Sequence, residues 1–305
     1  MDKLCADVVP IVVTYHPDKA ILLANLRALL SQVKTVIVVD NGSGIHKVIQ
    51  SIETKYPGRI HLLAFEQNYG LGEAYNAGIK IARDLEAKFI LLMDQDSIPE
   101  PAMVSILRTT YLHLESQGKQ IAVVGANYRN NSLSHTSCFL RVGRFGFKRL
   151  SCDKTNNFVR ADSLISSGSL ISLKALNQIG DMDSTLFIDH IDTEWCFRAK
   201  AKGFEVYGAC TAIMNHLLGD RRLRFWWGRW RMIPCHQPFR YYYMLRNSAL
   251  LWQRSYMPPG WKRADKMGRL YFLFFFSIFS PNRLANLRMM LKGLIDGLKG
   301  RSGQI

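Results

Sequence analysis

Two carboxylates one residue apart, in Asp94-Gln95-Asp96-Ser97, follow directly on the apolar run Phe89-Ile90-Leu91-Leu92-Met93. A buried strand ending there delivers both to the carboxyl edge of a parallel sheet, where open α/β folds bind their ligands. Hard oxygen ligands at that edge suit Mg2+ or Mn2+ held against a diphosphate. The alternative is that Asp96 and Ser97 merely cap a helix begun near Pro99 or Pro101. Three more stretches can face a nucleotide: Thr14-Tyr15-His16-Pro17, Asp40-Asn41-Gly42-Ser43, and the run from Asn68-Tyr69-Gly70-Leu71-Gly72 to Gly78. Asp40 can accept from the imide N–H of a pyrimidine, and the glycines let backbone N–H groups approach sugar or phosphate. Asp-Asn-Gly-Ser is also an ordinary turn. Gly70-Leu71-Gly72 lacks the third glycine of a dinucleotide-binding loop and its placement after the first strand.

Strands must position these residues, and the periodicity supplies them. Residues 8–14 read as a strand, 18–30 as a helix, 35–39 as a second strand, 45–55 as a helix and 59–65 as a third strand. A helix over 70–85 and strands over 89–93 and 121–125 follow. Such alternation predicts an α/β fold with a mostly parallel sheet flanked by helices. The four chemical stretches then follow the first four strands in order. No internal repeat or low-complexity segment interrupts the pattern.

At 305 residues the chain can bury a full core and carry an appendage. Its six cysteines show no Cys-x-x-Cys pair, zinc spacing or clustering, so free thiols in a reducing cytoplasm are expected and disulfides are not. The N-terminal residues lack the charged and apolar blocks of a signal peptide, so the catalytic part is expected to stay in the cytoplasm. The net charge of +16 is concentrated in residues 217–305, where 17 Lys/Arg face three acidic residues and leave +14. There the basic residues alternate with Trp226, Trp227, Trp230 and the triplet Tyr241-Tyr242-Tyr243, and the apolar run 270–279 follows. That run is about half the length of a spanning helix. Cationic, aromatic-rich helices of this kind suit the surface of an anionic membrane, although a purely structural helical hairpin has the same composition. Nucleic acid is not the expected partner, because no recognition motif accompanies the charge. The expected division is residues 1–218 as the α/β domain and 219–305 as a basic, aromatic-rich helical module.

Taken in order, the four stretches resemble the family 2 glycosyltransferases of the nucleotide-diphospho-sugar type, the GT-A fold, over roughly residues 8–218. The resemblance implies a nucleotide pocket built from Thr14, Tyr15, Asp40 and Asn68 to Gly72, including Gly70 and Gly72. It implies that Asp94 and Asp96 bind the divalent metal bridging the donor diphosphate, with Asp94 also meeting the donor. Charge neutralisation of the leaving nucleoside diphosphate is the chemistry such a metal supplies. The segment Ser166-Ser167-Gly168-Ser169 resembles the family's floor beneath the acceptor, which is expected against Ser167, Gly168 and Trp195.

The segment 187–198, Phe-Ile-Asp-His-Ile-Asp-Thr-Glu-Trp-Cys-Phe-Arg, resembles the family's catalytic loop and the helix after it. An inverting transfer needs a carboxylate to take the acceptor's proton. Counting back six residues from Arg198 places that base at Asp192, with Asp189 the alternative. Glu194 is expected to orient the loop or meet the acceptor. Capping of the helix by Asp192 is the structural alternative. Where the common pattern has an acidic residue just before the base, this chain has Ile191. The form with Ile191 is similar to that of bacterial rhamnosyltransferases. His216 stands where the family has a third metal ligand or diphosphate contact. Donor phosphates or an acceptor pyrophosphate would be clamped by Arg221 and Arg222, or by Arg240 and Arg246; six residues apart, the latter two share no helix face, leaving at least one to lipid or solvent.

Together these readings imply a metal-dependent, inverting glycosyltransferase on the inner face of an anionic membrane. The implied donor is dTDP-L-rhamnose, and the acceptor a polyprenyl-diphosphate-linked glycan of O-antigen or related cell-surface polysaccharide. The rivals are the same fold with another donor such as UDP-galactofuranose, a nucleotidyltransferase, and a membrane scaffold that binds nucleotide sugar without turnover. The nucleotidyltransferase would need a Gly-rich, Lys/Arg-bearing loop after the first strand, and residues 14–18 offer none.

Overall fold

The computed structural model describes residues 4–130, 135, 136, 139–144, 146–152, 156–216, 222–226, 228 and 230–305, with backbone alone at positions 130, 135, 136, 216, 222 and 231. The first half alternates as the periodicity predicts: β1 (Val8–Thr14), α1 (Lys19–Leu30), β2 (Val36–Asp40), α2 (His46–Glu53), β3 (Ile60–Ala64), α3 (Leu71–Asp84) and β4 (Phe89–Asp94). Asp18 caps α1 by accepting from Ile21 N at 3.0 Å. Next come β5 (Ser97–Pro99), α4 (Met103–Ser116), β6 (Ile121–Asn130), β7 (His135–Thr136), β8 (Phe139–Val142), β9 (Phe147–Leu150), β10 (Phe158–Ala161), β11 (Ser169–Ser172) and α5 (Leu173–Ile179). A 3-10 turn (Ser184–Leu186) leads into α6 (Ile191–Ala201) and β12 (Glu205–His216). The C-terminal elements are β13 (Arg222–Trp226), β14 (Trp230–Pro234), α7 (Pro238–Gln253), α8 (Pro259–Ile278) and α9 (Arg283–Leu298).

The main sheet runs β10-β12-β6-β11-β4-β1-β2-β3, with β5 paired to β12 and β7 to β6. Strands β1 to β4 are parallel, whereas β11 is antiparallel to both β4 and β6. Period-2 alternation divides β1 between two cores. Val8 and Val12 pack with α1, α2 and α4 on one face, and Val9, Ile11 and Val13 with α3, α5 and α6 on the other. All four parallel strands therefore point their carboxyl ends at one edge.

Two expectations are corrected. Cys152 and Cys210 form a disulfide across 58 residues, because antiparallel pairing of β10 with β12 and the bond from Cys210 N to Asn157 O lay the two segments side by side. Their Cα atoms are 5.4 Å apart, within the reach of a disulfide, and nothing in the spacing along the chain reveals that pairing. Cys5, Cys196 and Cys235 are free thiols, and Cys138 lies outside the described residues. The C-terminal segment is also not wholly helical. β13 and β14 form a hairpin whose Phe225 packs on Phe275 and Phe279 of the α8 end, both at 5.0 Å. Among the described residues no helix is long and apolar enough to cross a membrane.

α9 lies against α7 so closely that a side chain at Gly293 would meet Tyr242 O at 2.3 Å, and one at Gly297 would meet Arg246 O at 2.3 Å. The C-terminal helices thus pack as one body, and α7 faces the segment between α5 and α6.

Candidate active site

Asp94 ends β4, where its backbone N–H donates to Ser167 Oγ at 3.1 Å and its Oδ1 accepts from Tyr75 at 3.3 Å. The fully buried Asn25 of α1 donates to Asp94 O at 3.1 Å and also to Ser97 O, which fixes the turn from 94 to 97. Gln95 locks that turn to the first loop: Tyr15 N donates to Gln95 Oε1 at 2.7 Å, and Gln95 Nε2 donates to Tyr15 O at 3.2 Å. Asp96 and Ser97 cap no helix. Ser97 opens β5, paired with β12, and the next helix begins only at Met103. Asp94, Gln95 and Asp96 line a cavity of about 490 Å3 together with Tyr15, Asn68 and Gly70.

Thr14 and Asp40 lie behind that surface. Thr14 Oγ1 donates to Asp40 Oδ1 at 3.2 Å, and Asp40 Oδ2 accepts from the backbone of Gly44 at 2.7 Å and Ile45 at 3.2 Å. Only 1% exposed, Asp40 holds the turn that starts α2, and the neighbour that reaches the cavity is Asn41. Asn41 Nδ2 donates to Asn68 Oδ1 at 2.9 Å, and Asn41 Oδ1 accepts from Tyr69 N at 2.9 Å. The glycines that follow serve a close approach. Gly70 has φ of 91°, and a Cβ there would sit 2.7 Å from Phe187 O; one on Gly72 would sit 2.9 Å from Ser184 Cα. Leu71 N donates to Phe187 O at 2.6 Å, so the start of α3 is pinned to the loop before α6.

That loop carries the other carboxylates. Asp189 and Asp192 both line the larger cavity, as do Ser166, His190 and Arg240. Arg240 of α7 donates to both oxygens of Asp189, at 3.1 and 3.3 Å, leaving Asp189 charge-paired. Among the described residues no such cation pairs with Asp192. Its Oδ2 accepts from Ser166 N at 3.1 Å and its Oδ1 from Thr193 N at 2.6 Å, while burial pushes its carboxyl up to about 6. A carboxylate poised there is matched to taking and giving a proton near neutral pH. His190 is held neutral, at about 4, first by burial and then by the charge of Arg269, whose Nη2 donates to His190 Nε2 at 3.0 Å.

Asp192 also lines a second, smaller cavity of about 180 Å3, walled by Tyr128, Phe139, Leu140, Leu164 and Thr193. Ile165 and Asp192 border both spaces. The structure therefore brings together Tyr15, Asn68, Gly70, Asp94, Asp96, Asp189 and Asp192. It does not bring Glu194 and Trp195 to either cavity. Glu194 is 1% exposed and paired with Arg198 at 2.8 Å and Arg254 at 3.2 Å, and Trp195 Nε1 donates to Gly180 O at 2.8 Å within the core. Ser167 and Gly168 stitch β4 to β6 behind the wall: Gly168 N donates to Leu92 O and Gly168 O accepts from Ala126 N.

Arg246 is 1% exposed and donates to Leu186 O at 2.9 Å, so it faces neither lipid nor phosphate; Arg240 likewise is engaged at the cavity. Arg221 lies outside the described residues, as do the side chains of Arg222 and His216. The backbone of His216 pairs with Ser97 in the β12–β5 ladder, which sets position 216 beside the Asp94–Ser97 turn. Among the described residues no group of three or more His, Cys, Asp or Glu converges as a metal site. Two carboxylates do fit Mg2+ or Mn2+ that takes its remaining ligands from diphosphate and water. Asn41, Gln95 and His190 stand next to Asp40, Asp94, Asp96 and Asp189 in the sequence, whereas nothing in the sequence marks Asn25.

A parallel sheet with two carboxylates at its carboxyl edge, and a buried carboxyl of raised pKa across the cavity, suits a nucleotide-sugar transferase. The sequence model of glycosyl transferase family 2 matches residues 11–171, more than half of the chain, so the protein belongs to that family and is a glycosyltransferase. Across 98% of its length, and 97% of the relative's, it is 26% identical to the dTDP-rhamnosyl transferase RfbF of Shigella flexneri. Among solved structures it is similar to GalNAc-T7 with UDP, GalNAc and Mn2+, with a TM-score of 0.61 and 13% identity over 98% of this chain and 57% of that one. It is also similar to residues 1–349 of S. aureus TarS in complex with UDP-GlcNAc, with a TM-score of 0.55 and 16% identity over 96% of this chain and 81% of that one. These structural likenesses show the GT-A-like fold alone.

Proposed function

We propose that the protein transfers L-rhamnose from dTDP-L-rhamnose, with inversion, to a polyprenyl-diphosphate-linked glycan of O-antigen or a related surface polysaccharide. The donor follows the full-length likeness to a dTDP-rhamnosyl transferase. One observation carries the mechanism: Asp192 borders both the cavity with Asp94 and Asp96 and the smaller cavity beside it. The donor lies in the larger space, its nucleotide along Tyr15, Asn41 and Asn68. The acceptor sugar enters the smaller one, against Tyr128 and Phe139. Asp192 takes the proton of the acceptor hydroxyl as that oxygen attacks the anomeric carbon from the face opposite the diphosphate. Asp189, neutralised by Arg240, shapes the loop without competing for the proton. Asp94 and Asp96 would hold Mg2+ or Mn2+, with His216 beside them along the β5–β12 ladder. When bound, the metal supplies charge neutralisation for the departing nucleoside diphosphate.

The same reading places the protein on the cytoplasmic face of the inner membrane. Met267, Leu270, Tyr271, Phe274 and Ile278 recur at helical spacing along α8 and are exposed, Tyr271 to 70%. Trp226 and Trp230 at the hairpin end are about as open, and Arg224 stacks on Trp230 at 4.1 Å. Exposed aromatic and basic groups of this kind match an anionic lipid interface. In a reducing cytoplasm Cys152 and Cys210 would stand as neighbouring thiols.

Mn2+-dependent hydrolysis of dTDP-L-rhamnose, measured beside UDP-galactose, UDP-N-acetylglucosamine and UDP-galactofuranose, tests the donor. Selective use of dTDP-L-rhamnose is expected. Preference for a UDP-sugar would keep the family and the mechanism and overturn the rhamnosyl assignment.

A further inference from the structure

The loop that carries Asp189 is built from backbone conformations that L-residues rarely adopt. Phe187, Asp189 and His190 have φ of 63°, 65° and 65°, and none is glycine. Phe187, with ψ of −62° and a bond from Ile188 N to Leu186 O at 2.7 Å, forms the rare γ-turn of positive φ. Such a run persists only where its surroundings over-determine it. Here the surroundings are two adjacent side chains of α7, some 60 residues further along the chain. Asn247, wholly buried, donates from Nδ2 to Leu186 O at 2.9 Å, Ile188 O at 2.7 Å and Asp189 O at 2.9 Å. Arg246 donates from Nη2 to Leu186 O at 2.9 Å and Thr185 O at 3.3 Å. Arg246 also orients its neighbour, since its Nε and Nη2 donate to Asn247 Oδ1 at 3.0 and 2.9 Å, which turns the Asn247 amide group toward the loop. Neither residue lines the large cavity.

We propose that Arg246 and Asn247 are positioning residues: a two-residue clamp that holds the strained loop 187–190 and thereby sets Asp189 and Asp192 across the cavity from Asp94 and Asp96. The clamp rests on the proposed role of Asp192 for its catalytic consequence, and not for its effect on the loop. Carbonyl groups in a strained loop need donors, and a buried amide held by a guanidinium supplies them with almost no freedom to move. The nucleotide side of the cavity, from Tyr15 to Asp96, is built on other elements and touches the loop at Gly70 and Leu71.

The test uses the full-length protein with Asn247→Ser and Arg246→Lys, and Gln253→Ala as a control. Gln253 lies on the same helix and donates to Ala249 O and Gly297 O, linking α7 to α9. Hydrogen–deuterium exchange over residues 184–192 should rise about tenfold or more in the two clamp variants and stay unchanged in Gln253→Ala. Turnover of the nucleotide sugar that the wild type uses should fall by about 100-fold, while the dTDP dissociation constant moves less than about twofold. Unchanged exchange in Asn247→Ser overturns the clamp whatever the donor proves to be. Equal losses of nucleotide binding and turnover would reduce the pair to ordinary packing. A wild type that turns over no dTDP-L-rhamnose would instead count against the donor, and the exchange data would still decide the clamp.

Discussion

Replacing Asp192 with Asn should make the protein more stable and nearly inactive at the same pH. Burial raises this carboxyl from 3.8 to about 6. Its folded pKa therefore lies above its unfolded one, so the contribution of this group to stability is fully present below about pH 4 and is lost as pH rises through about 6. At about 1.4 kcal/mol for each tenfold step, the penalty above pH 6 is about 3 kcal/mol. Asn carries no charge and escapes it. It has only one acceptor oxygen, however, so Ser166 N or Thr193 N loses its partner, at a cost of about 1 kcal/mol. The net expectation at pH 8 is a gain of about 2 kcal/mol, or roughly 5 °C in melting temperature for a chain of this size. Below about pH 4 the sign reverses, since only the lost hydrogen bond remains. Scanning calorimetry of both proteins across pH 4 to 8 measures the crossing. Transfer should fall about 10²–10⁴-fold with dTDP binding kept, the loss expected for removal of a general base. A lower melting temperature for the variant at pH 8, or a rate within tenfold of wild type, would refute the assignment of Asp192 as a buried, poised base.

The acid limb of the wild-type rate profile should lie near pH 6, and Arg240→Gln should move it upward. Asp189 would then lose its cation and its charge would bear on Asp192 uncompensated; a limb that stays in place would show the pairing irrelevant to the base. Asp96→Ala should abolish Mn2+-stimulated hydrolysis of dTDP-L-rhamnose, read as released dTDP, and equal stimulation in both proteins would remove Asp96 from the metal. Gly70→Ala should destabilise by about 2 kcal/mol in urea titration, because φ of 91° and the contact with Phe187 O both oppose a Cβ. Trp226→Ser combined with Trp230→Ser should lower co-sedimentation with phosphatidylglycerol vesicles about tenfold and leave neutral vesicles unaffected; unchanged sedimentation would reassign the hairpin face.

The alternation of apolar runs and helical periods determined the order of strands and helices from β1 to β4. With them it determined which residues stand at the carboxyl edge, since a strand delivers to that edge whatever follows its last buried residue. Asp94 and Asp96 were legible for this reason. Asp40, read from the sequence as a nucleotide contact or as part of an ordinary turn, gives its carboxylate to the backbone of the 42–45 turn, and only the folded chain shows which donors it meets. Glu194 and Trp195 share a helix with Asp192, yet helical rotation turns them into the core and an ion-pair network. The Cys152–Cys210 bond and the grip of Arg246 and Asn247 on the 185–189 segment join parts of the chain about 60 residues apart. Local sequence carries no record of such pairings. Only the tertiary structure, by closing the chain on itself, decided which of the two loop carboxylates met a cation and which was left buried with backbone donors and a raised pKa.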